Sequence, residues 1–186
     1  IEYRIRNRYQ LTARSSLTQD IVFYADDPMI RFDTRMDWQD DHRLLKTAFP
    51  TSILSDFARQ EIQFGHVKRP TTRNTSIEKA KFEVCNHRFT DLSELRYGVS
   101  LFNDCKYGIS VKDGCMALTL HKGGCRPDAA GDKGIHDCTY ALLPHIGDFS
   151  SDTVIRAAYC INDPVSIVSG RTQNQQSFVS SSESNV

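Results

Sequence analysis

The stretch from Ile30 to Trp38 alternates strictly between two kinds of side chain. Large or β-branched residues stand at Ile30, Phe32, Thr34, Met36 and Trp38, and charged residues stand at Arg31, Asp33, Arg35 and Asp37. Successive side chains of a β-strand point to opposite faces of the sheet, so this pattern supplies one core face and one solvated face. A helix would spread both sets around its circumference. The stretch therefore predicts a β-strand that is buried on one side.

Shorter alternating stretches follow, and together they predict a mainly β protein built as a large antiparallel β-sandwich. They cover residues 58–64, 81–85, 97–101, 107–111 and 116–120. In the first of them Ile62 and Phe64 are in phase, so we expect both on one strand face. The segment Lys112–Gly114 predicts a hairpin turn, because Asp-Gly accepts positive φ.

Two segments predict short helices. Residues 76–80 are expected to form a single helical turn, and Asp152 is the expected N-cap of a helix over 153–161 that ends at Asp163-Pro164. From Ser169 onward serine, glutamine and asparagine dominate, and such residues cannot cover a core. We therefore expect one domain over residues 1–168 and a polar edge or tail over residues 169–186.

The composition narrows the classes of partner. The chain has 23 basic and 23 acidic residues, and this balance argues against nucleic acid or an anionic membrane as a partner. No apolar run approaches the roughly 18 residues that cross a bilayer, and the charged, alternating N-terminus resembles no targeting peptide. Since the chain starts at Ile1 and not at Met, we expect a fragment of a longer protein.

The six cysteines contain no C-x-x-C pair. Three disulfides are one interpretation, because a secreted domain with an even count often forms them. A chain of this length can bury a core without covalent links, and no secretion signal is visible. We therefore expect reduced, mostly buried thiols that pack as small apolar groups.

Acidic pairs and one His/Cys pair are weak candidates for chemistry. Asp26-Asp27 and Asp40-Asp41 are interpreted as solvated loop charges, because a carboxylate acts in catalysis only where its surroundings shift its pKa. His136 and Cys138 would share a strand face and could form a nucleophile–base pair or two metal ligands. Zinc needs three or four ligands, and no second Cys/His pair stands at finger spacing. An ordinary strand is the preferred interpretation, with no metal bound by this chain.

Three polar loops, over residues 69–74, 104–107 and 132–136, are the better candidates for a saccharide site, because sugars are held by convergent polar groups beside an aromatic surface. For any single loop, however, the preferred interpretation is that it only hydrogen-bonds to the sandwich backbone. The candidate residues are Arg69, Asn74, Asp104, Lys106, Tyr107, Asp132 and His136.

In order along the chain, several segments resemble the motifs of family 38 glycoside hydrolases, the α-mannosidases. These segments are Trp38 with Leu44–Pro50, Glu61–Gly65, Arg69–Thr71 with Asn74–Ser76, Ala80–Val84 with His87-Arg88 and Asp91–Ser93, Leu101–Gly108, Pro127-Asp128 with Asp132–His136, and Tyr140–His145. The resemblance runs from about residue 21 to residue 161 and favours the cytosolic and vacuolar branch, which includes bacterial relatives.

This resemblance implies part of a retaining α-mannosidase that removes terminal mannose from oligosaccharides with an aspartate nucleophile and a zinc ion. Those groups belong to an N-terminal catalytic domain in the family, and their motifs do not occur in this chain. The segment is thus expected to be a galactose-mutarotase-like β-sandwich that packs against that domain and edges the substrate cleft. A cytoplasmic location is implied, or a vacuolar one in a fungal parent.

Some residues depart from the family pattern, and alternatives to the family interpretation stay open. Cys125, Cys138 and Cys160 are not typical of the pattern, and Gly131 stands where alanine is expected. The sandwich could end with an exposed strand edge, and a homo-oligomer is then conceivable. A stand-alone carbohydrate-binding module is the second hypothesis. A thiol- or metal-dependent enzyme centred on His136 and Cys138 is the third.

Overall fold

A computed structural model describes residues 1–170 together with residues 180 and 182. Within these residues the chain forms twelve β-strands, two short α-helices and one π-helical turn. The strands are β1 (Glu2–Gln10), β2 (Ser16–Tyr24), β3 (Asp27–Trp38), β4 (Leu44–Pro50), β5 (Phe57–Ile62), β6 (Gly65–Pro70), β7 (Val84–Cys85), β8 (Phe89–Glu94), β9 (Tyr97–Asn103), β10 (Gly108–Lys112), β11 (Cys115–Lys122) and β12 (Gly134–Ile146). The helices are α1 (Ser76–Ala80) and α2 (Arg156–Asn162), which follows the π-helical turn Ser151–Ile155.

The strands form two antiparallel sheets, as the sequence predicts. The large sheet has eight strands in the order β1-β2-β3-β12-β9-β8-β5-β6. The small sheet has four strands in the order β4-β11-β10-β7. Every strand pair is antiparallel. The predicted mainly β sandwich is confirmed.

The main core lies between the two sheets and contains the predicted apolar face of β3. Met36 is fully buried and Trp38 is 2% exposed. The ring of Phe32 stacks on Tyr140 of β12 at 5.0 Å between centroids, and Phe49 of β4 lies 5.6 Å from Phe32. Burying each such side chain contributes about 1.5–3 kcal/mol, so the alternation in β3 directly stabilises the contact between the sheets.

A second core covers the outer face of the large sheet. Val154 of the π-helical turn and Ala158 of α2 pack against Phe89, Phe102 and Leu143. The predicted C-terminal helix is confirmed and ends at Asn162, but Asp152 is not its N-cap. Asp152 lies inside the π-helical turn, and α2 begins without any side-chain cap hydrogen bond.

Residues with positive φ in two turns account for one prediction that was correct and one that was wrong. Asp113 and Gly114 join β10 to β11 with φ values of 50° and 75°, which confirms the predicted hairpin. The prediction that Phe64 lies on a strand was wrong. Strand β5 ends at Ile62, and Phe64 stands in the β5–β6 turn with φ of 62° and a fully exposed ring.

Helix α1 is the predicted single turn, and it depends on its cap because it buries none of its residues. Thr75 is the N-cap, and its hydroxyl accepts a hydrogen bond from the Glu78 amide at 3.1 Å. The Glu78 carboxylate in turn accepts from the Thr75 amide, which completes a capping box.

The cysteines form no disulfide, so the expected free thiols are confirmed. The expectation that most are buried was wrong, because only Cys138 is buried while Cys85, Cys105 and Cys160 are exposed. Of the predicted tail over residues 169–186, residues 171–179, 181 and 183–186 lie outside the described residues. Among the described residues no helix has the length and apolar character that crossing a membrane requires.

Candidate functional site

A cavity of about 950 Å³ opens at one end of the small sheet, where β4 and β10 begin and β7 and β11 end, and we call it the groove. Its walls come from the β3–β4 loop, the segment that enters β7, the start of β10 and the β11–β12 loop. The lining residues are His42, Arg43, Leu44, Phe82, Glu83, Val84, Cys85, Tyr107, Gly108, Lys122, Gly123, Gly124, Cys125 and Arg126.

Backbone hydrogen bonds hold one wall of the groove together. The His42 amide donates to the Gly123 carbonyl, and the Gly123 amide donates to the Arg43 carbonyl, each at 2.8 Å. A Cβ on Gly123 would overlap the carbonyl of Asp40 and lie 2.9 Å from the Trp38 indole nitrogen. Glycine at 123 thus lets the two loops approach closely enough to form this wall.

The Asp41 carboxylate also links the β3–β4 loop to the β11–β12 loop. Asp41 forms a salt bridge with Lys133 Nζ at 2.9 Å and accepts a weak hydrogen bond from Cys125 Sγ at 3.6 Å. The hydrogen bond from Lys133 holds the pKa of Asp41 below its ordinary value. The β11–β12 loop is therefore anchored at both its Cys125 end and its Lys133 end.

The floor of the groove carries an ionised carboxylate. Glu83 accepts hydrogen bonds from Lys46 Nζ at 2.7 Å and from Thr119 Oγ1 at 2.9 Å. Burial alone would raise the pKa of Glu83, but these hydrogen bonds lower it below its ordinary value. Around this acceptor the groove offers cationic donors and one phenol, supplied by Arg43, Lys122, Arg126 and Tyr107. Such a mixture suits a ligand rich in hydroxyl groups.

The predicted loop 104–107 brings only one candidate into the groove. Tyr107 lines it, with its ring 5.5 Å from the His87 ring. Lys106 is held through its amide, which donates to Asn103 Oδ1 at 2.7 Å. Asp104 faces a different pocket, beside Arg6 and other residues on the outer face of the large sheet. Its Oδ2 accepts from the Thr139 amide at 2.9 Å, so it joins the loop to β12.

The predicted loop 132–136 meets a buried histidine that the sequence did not single out. His136 Nε2 lies 2.7 Å from the Asp132 carbonyl oxygen, and its ring lies 4.4 Å from the ring of His121. His121 in turn contacts Trp38 at 4.8 Å between centroids. The pKa of His121 is lowered to about 4, chiefly because its imidazole is buried. Of the predicted loop residues, His136 is therefore the one whose ring packs against His121.

Arg69 and Asn74 lie outside the groove. Arg69 Nη1 donates to Gln60 Oε1 at 2.5 Å and to the Cys85 carbonyl at 2.9 Å, and burial lowers the pKa of Arg69. Cys85 itself lines the groove, so Arg69 lies behind that wall, in a cavity of about 180 Å³ beneath α1. Asn74 is exposed at the start of α1, and its amide donates to Glu78 at 2.6 Å.

The groove cations that sequence reasoning missed are Arg43 in the β3–β4 loop, Lys122 at the end of β11 and Arg126 in the β11–β12 loop. None of them belongs to a recognisable motif. The sequence indicates the groove only indirectly, through the Gly123-Gly124 pair, because glycines at the end of β11 allow another backbone to approach closely.

The His136 and Cys138 pair lies in surroundings that suit neither a nucleophile nor a metal site. Cys138 is buried, and burial raises its pKa to about 11, so its thiol is poorly suited to act as a nucleophile. Among the described residues no group of three or more His, Cys, Asp or Glu side chains is placed to hold a metal ion.

The two acidic pairs differ in burial. Asp26 and Asp27 are exposed, as expected. The expectation that Asp40 is a solvated loop charge was wrong, because it is 6% exposed and accepts hydrogen bonds from the hydroxyls of Thr12 and Ser15. The Trp38 indole N–H donates to the Asp40 carbonyl at 2.7 Å and holds this loop against the sandwich.

Comparisons with known proteins agree on one family. Residues 1–130 match the model of the glycosyl hydrolases family 38 C-terminal domain. The chain is 46% identical over 156 residues to Alpha-mannosidase 2C1 from Homo sapiens, and 43% identical over 153 residues to Alpha-mannosidase from Saccharomyces cerevisiae. These matches cover 84% and 82% of this chain but only 15% and 14% of the relatives.

A solved structure shows the same fold. The crystal structure of an alpha-mannosidase from Enterococcus faecalis V583 superposes with a TM-score of 0.73 at 19% identity. The superposition covers 81% of this chain and 18% of that one. The described sandwich therefore has the fold of one part of a much longer protein.

Proposed function

The chain belongs to glycosyl hydrolase family 38, through its C-terminal domain, and from this membership we propose that it is the non-catalytic β-sandwich domain of an α-mannosidase. The parent enzyme would be retaining and zinc-dependent and would hydrolyse terminal α-mannosyl residues of oligosaccharides. The observation that carries this proposal is the 46% identity over 156 residues to Alpha-mannosidase 2C1. The cytoplasm is the proposed location, or the vacuole in a fungal parent.

We assign the groove to the rim of the substrate cleft in that enzyme. Its ionised Glu83 and the donors on Arg43, Lys122 and Arg126 can accept from and donate to sugar hydroxyls, while Tyr107 offers an aromatic surface. The anchored loops of the wall keep these groups in fixed positions. The partners are accordingly an N-terminal catalytic domain and a mannose-containing oligosaccharide.

The zinc of the parent enzyme does not fit the described part of this chain. A catalytic zinc takes three protein ligands, and the described residues supply no such group. We therefore assign the zinc ligands and the nucleophile to the catalytic domain. The role left to this chain is to support that domain and to contact substrate through the groove.

The test is the hydrolysis of an aryl α-mannoside with zinc or cobalt supplied. This chain alone should release no aryl alcohol above the uncatalysed rate, while full-length Alpha-mannosidase from Saccharomyces cerevisiae serves as the positive control. The non-catalytic role would be refuted if this chain alone hydrolysed the aryl α-mannoside. The activity would have to co-purify with the chain and disappear when the chain is denatured.

A stand-alone carbohydrate-binding module is the second candidate, and the groove favours it. Titration of the chain with mannobiose, followed by ¹H–¹⁵N NMR, separates the two functions. Independent binding would be supported by saturable chemical-shift changes that are confined to groove amides. These changes should become weaker in Tyr107→Ala and stay the same in Tyr97→Ala. A supporting domain that needs its catalytic partner should show no saturable shift.

A further inference from the structure

A cavity lies between the two sheets on the side away from β4, and we call it the α1 cavity. Strand β6 is the last strand of the large sheet on this side, and β7 is the last described strand of the small sheet. The cavity has a volume of about 180 Å³ and is lined by residues of β5, β6, β7, β10 and α1. The groove makes no use of this space, although the sequence candidate Arg69 lines it.

Part of the lining of the α1 cavity is apolar. Ala58 and Ile109 belong to the core between the sheets, and Val84 and Val111 pack against that core. An engineered apolar cavity of about 150 Å³ in another protein binds benzene. The α1 cavity therefore has room for an apolar group about the size of one benzene ring.

The side chain of Arg69 enters this cavity from β6. Arg69 stands opposite Ala58 in the antiparallel pair of β5 and β6, and directly opposite residues share one face of a sheet. Ala58 faces the core between the sheets, so Arg69 lies on that inner face as well. The next residue, Lys68, stands opposite Arg59 on the other face of the sheet.

The guanidinium of Arg69 has one free edge. Its Nη1 donates to Gln60 Oε1 at 2.5 Å and to the Cys85 carbonyl at 2.9 Å, which uses both hydrogens of that nitrogen and fixes the plane of the group. Within residues 1–170, Nε and Nη2 form no hydrogen bond. These two nitrogens form the edge of a guanidinium that holds a carboxylate through two parallel hydrogen bonds.

No described acid pairs with Arg69. In the part of the chain that the structure describes, Arg69 forms no salt bridge, and burial lowers its pKa. Glu78 is the one acidic residue in the described lining, and its carboxylate already caps the start of α1. Arg73 and Lys81 add two further cations to the lining. Because a half-buried cation without a counter-charge costs free energy, an anion that enters this cavity gains from pairing with Arg69.

We propose that the α1 cavity binds a small monocarboxylic acid whose carboxylate is attached to an apolar group about the size of a benzene ring. The carboxylate accepts two hydrogen bonds from Arg69 Nε and Nη2, and the apolar group contacts Ala58 and Ile109. Arg73 and Lys81 attract the anion electrostatically. A phosphate fits less well, because a dianion needs more donors than one guanidinium edge and gains nothing from an apolar lining.

Helix α1 should respond to the ligand. The helix buries none of its residues, and Ile77 lines the cavity while it is 67% exposed. A ligand adds apolar contact to Ile77, so α1 gains packing that the described chain does not supply. The inference does not depend on the proposed mannosidase function, because neither a sugar nor a catalytic domain takes part in it.

The test titrates the whole 186-residue chain, labelled with ¹⁵N, with benzoate at constant ionic strength. We expect saturable chemical-shift changes in the amides of β6, β10 and α1 and slower amide hydrogen exchange in α1. Benzamide keeps the ring but lacks the charge, and acetate keeps the charge but lacks the ring. Each should bind about tenfold or more weakly than benzoate, because each loses one of the two interactions.

Three variants locate the site. Arg69→Lys keeps the charge but removes the two-donor edge, so the affinity for benzoate should fall about tenfold. Ile77→Ser removes apolar contact at an exposed position and should also weaken binding. Lys68→Gln, on the other face of β6, should leave the affinity unchanged. Ile77→Ser and Lys68→Gln should unfold at the urea concentration of the wild type, so their comparison stands even if Arg69→Lys destabilises the fold.

Four outcomes would overturn the proposal. The first is that benzoate causes no saturable change. The second is that benzoate shifts only amides of the β3–β4 and β11–β12 loops, which would place it in the groove. The third is that benzamide, acetate or inorganic phosphate binds as tightly as benzoate. The fourth is that Ile77→Ser and Lys68→Gln have the same affinity for benzoate.

Discussion

His145 and Asp91 form a buried pair on the outer face of the large sheet. His145 Nε2 lies 2.8 Å from Asp91 Oδ2, and the two side chains are 5% and 1% exposed. Asp91 also accepts hydrogen bonds from the hydroxyls of Ser93 and Ser100, so its carboxylate is surrounded by donors. This hydrogen bond to Asp91 raises the pKa of His145 above its ordinary value, although burial alone would lower it.

The pair predicts a loss of stability on the alkaline side. A histidine whose pKa is raised in the folded state stabilises the fold fully below its unfolded pKa, near 6.5, and less as pH rises through the raised value. The free energy of unfolding from urea titrations should therefore contain a term that falls as pH rises above about 6.5. His145→Gln should remove that term, while His66→Gln, at an exposed imidazole, should keep it. Parallel pH profiles for the wild type and His145→Gln would contradict the prediction.

Gly98 should tolerate no side chain, because it faces this pair. A Cβ at this position would overlap the His145 ring and lie 2.9 Å from Ser93 Cβ. Gly98→Ala should destabilise the fold by about 1–3 kcal/mol, as overpacking of a dense core does. Gly65→Ala is the matched control, since a Cβ there meets nothing within 4 Å. The control should change the urea unfolding free energy by no more than about 0.5 kcal/mol.

His121 predicts the opposite pH dependence. Burial lowers its pKa to about 4, and its Nε2 has no hydrogen-bond partner among the described residues. A histidine with a lowered folded pKa stabilises the fold above the unfolded value near 6.5, and this term is lost as pH falls toward 4. His121→Leu should flatten the fall in urea midpoint between pH 6.5 and pH 4. If His121→Leu loses stability in acid as much as the wild type does, the acid-dependent loss of stability comes from other groups.

Thiol reactivity should separate the cysteines by burial. Cys138 is buried with a pKa raised to about 11, whereas Cys160 is exposed on α2. At pH 8 iodoacetamide should alkylate Cys160 in the folded chain and leave Cys138 unmodified until urea is added. Mass spectrometry of peptides over time measures both rates. Rapid alkylation of Cys138 without urea would revive the hypothesis of a thiol enzyme.

Local patterns predicted local structure well. The alternation in β3, the Asp113-Gly114 turn and the single turn of α1 each depend on residues close in sequence, and each is present. The hairpin of β1 and β2 was not predicted, although Tyr3, Ile5 and Tyr9 alternate with polar residues. These three side chains are 66%, 42% and 47% exposed, so neither face of β1 is buried as the apolar face of β3 is.

The groove could not be predicted because residues far apart in sequence form it. Asp41 and Cys125, which meet at its wall, are separated by 84 positions. The sequence does show Tyr107 in a polar turn, but it does not show that Arg43 and Lys122 converge beside it. His121 was missed for a similar reason, since its lowered pKa comes from burial against Trp38 and His136.

Strand β12 determines when the large sheet can close. It lies between β3 and β9, yet it follows the other eleven described strands in sequence. During synthesis the β1–β3 group and the β9-β8-β5-β6 group must therefore wait as two separate pieces, each with an open edge. Ribosomal delivery of residues 134–146 is the step that joins them, and any pause before it prolongs the interval in which those edges can aggregate.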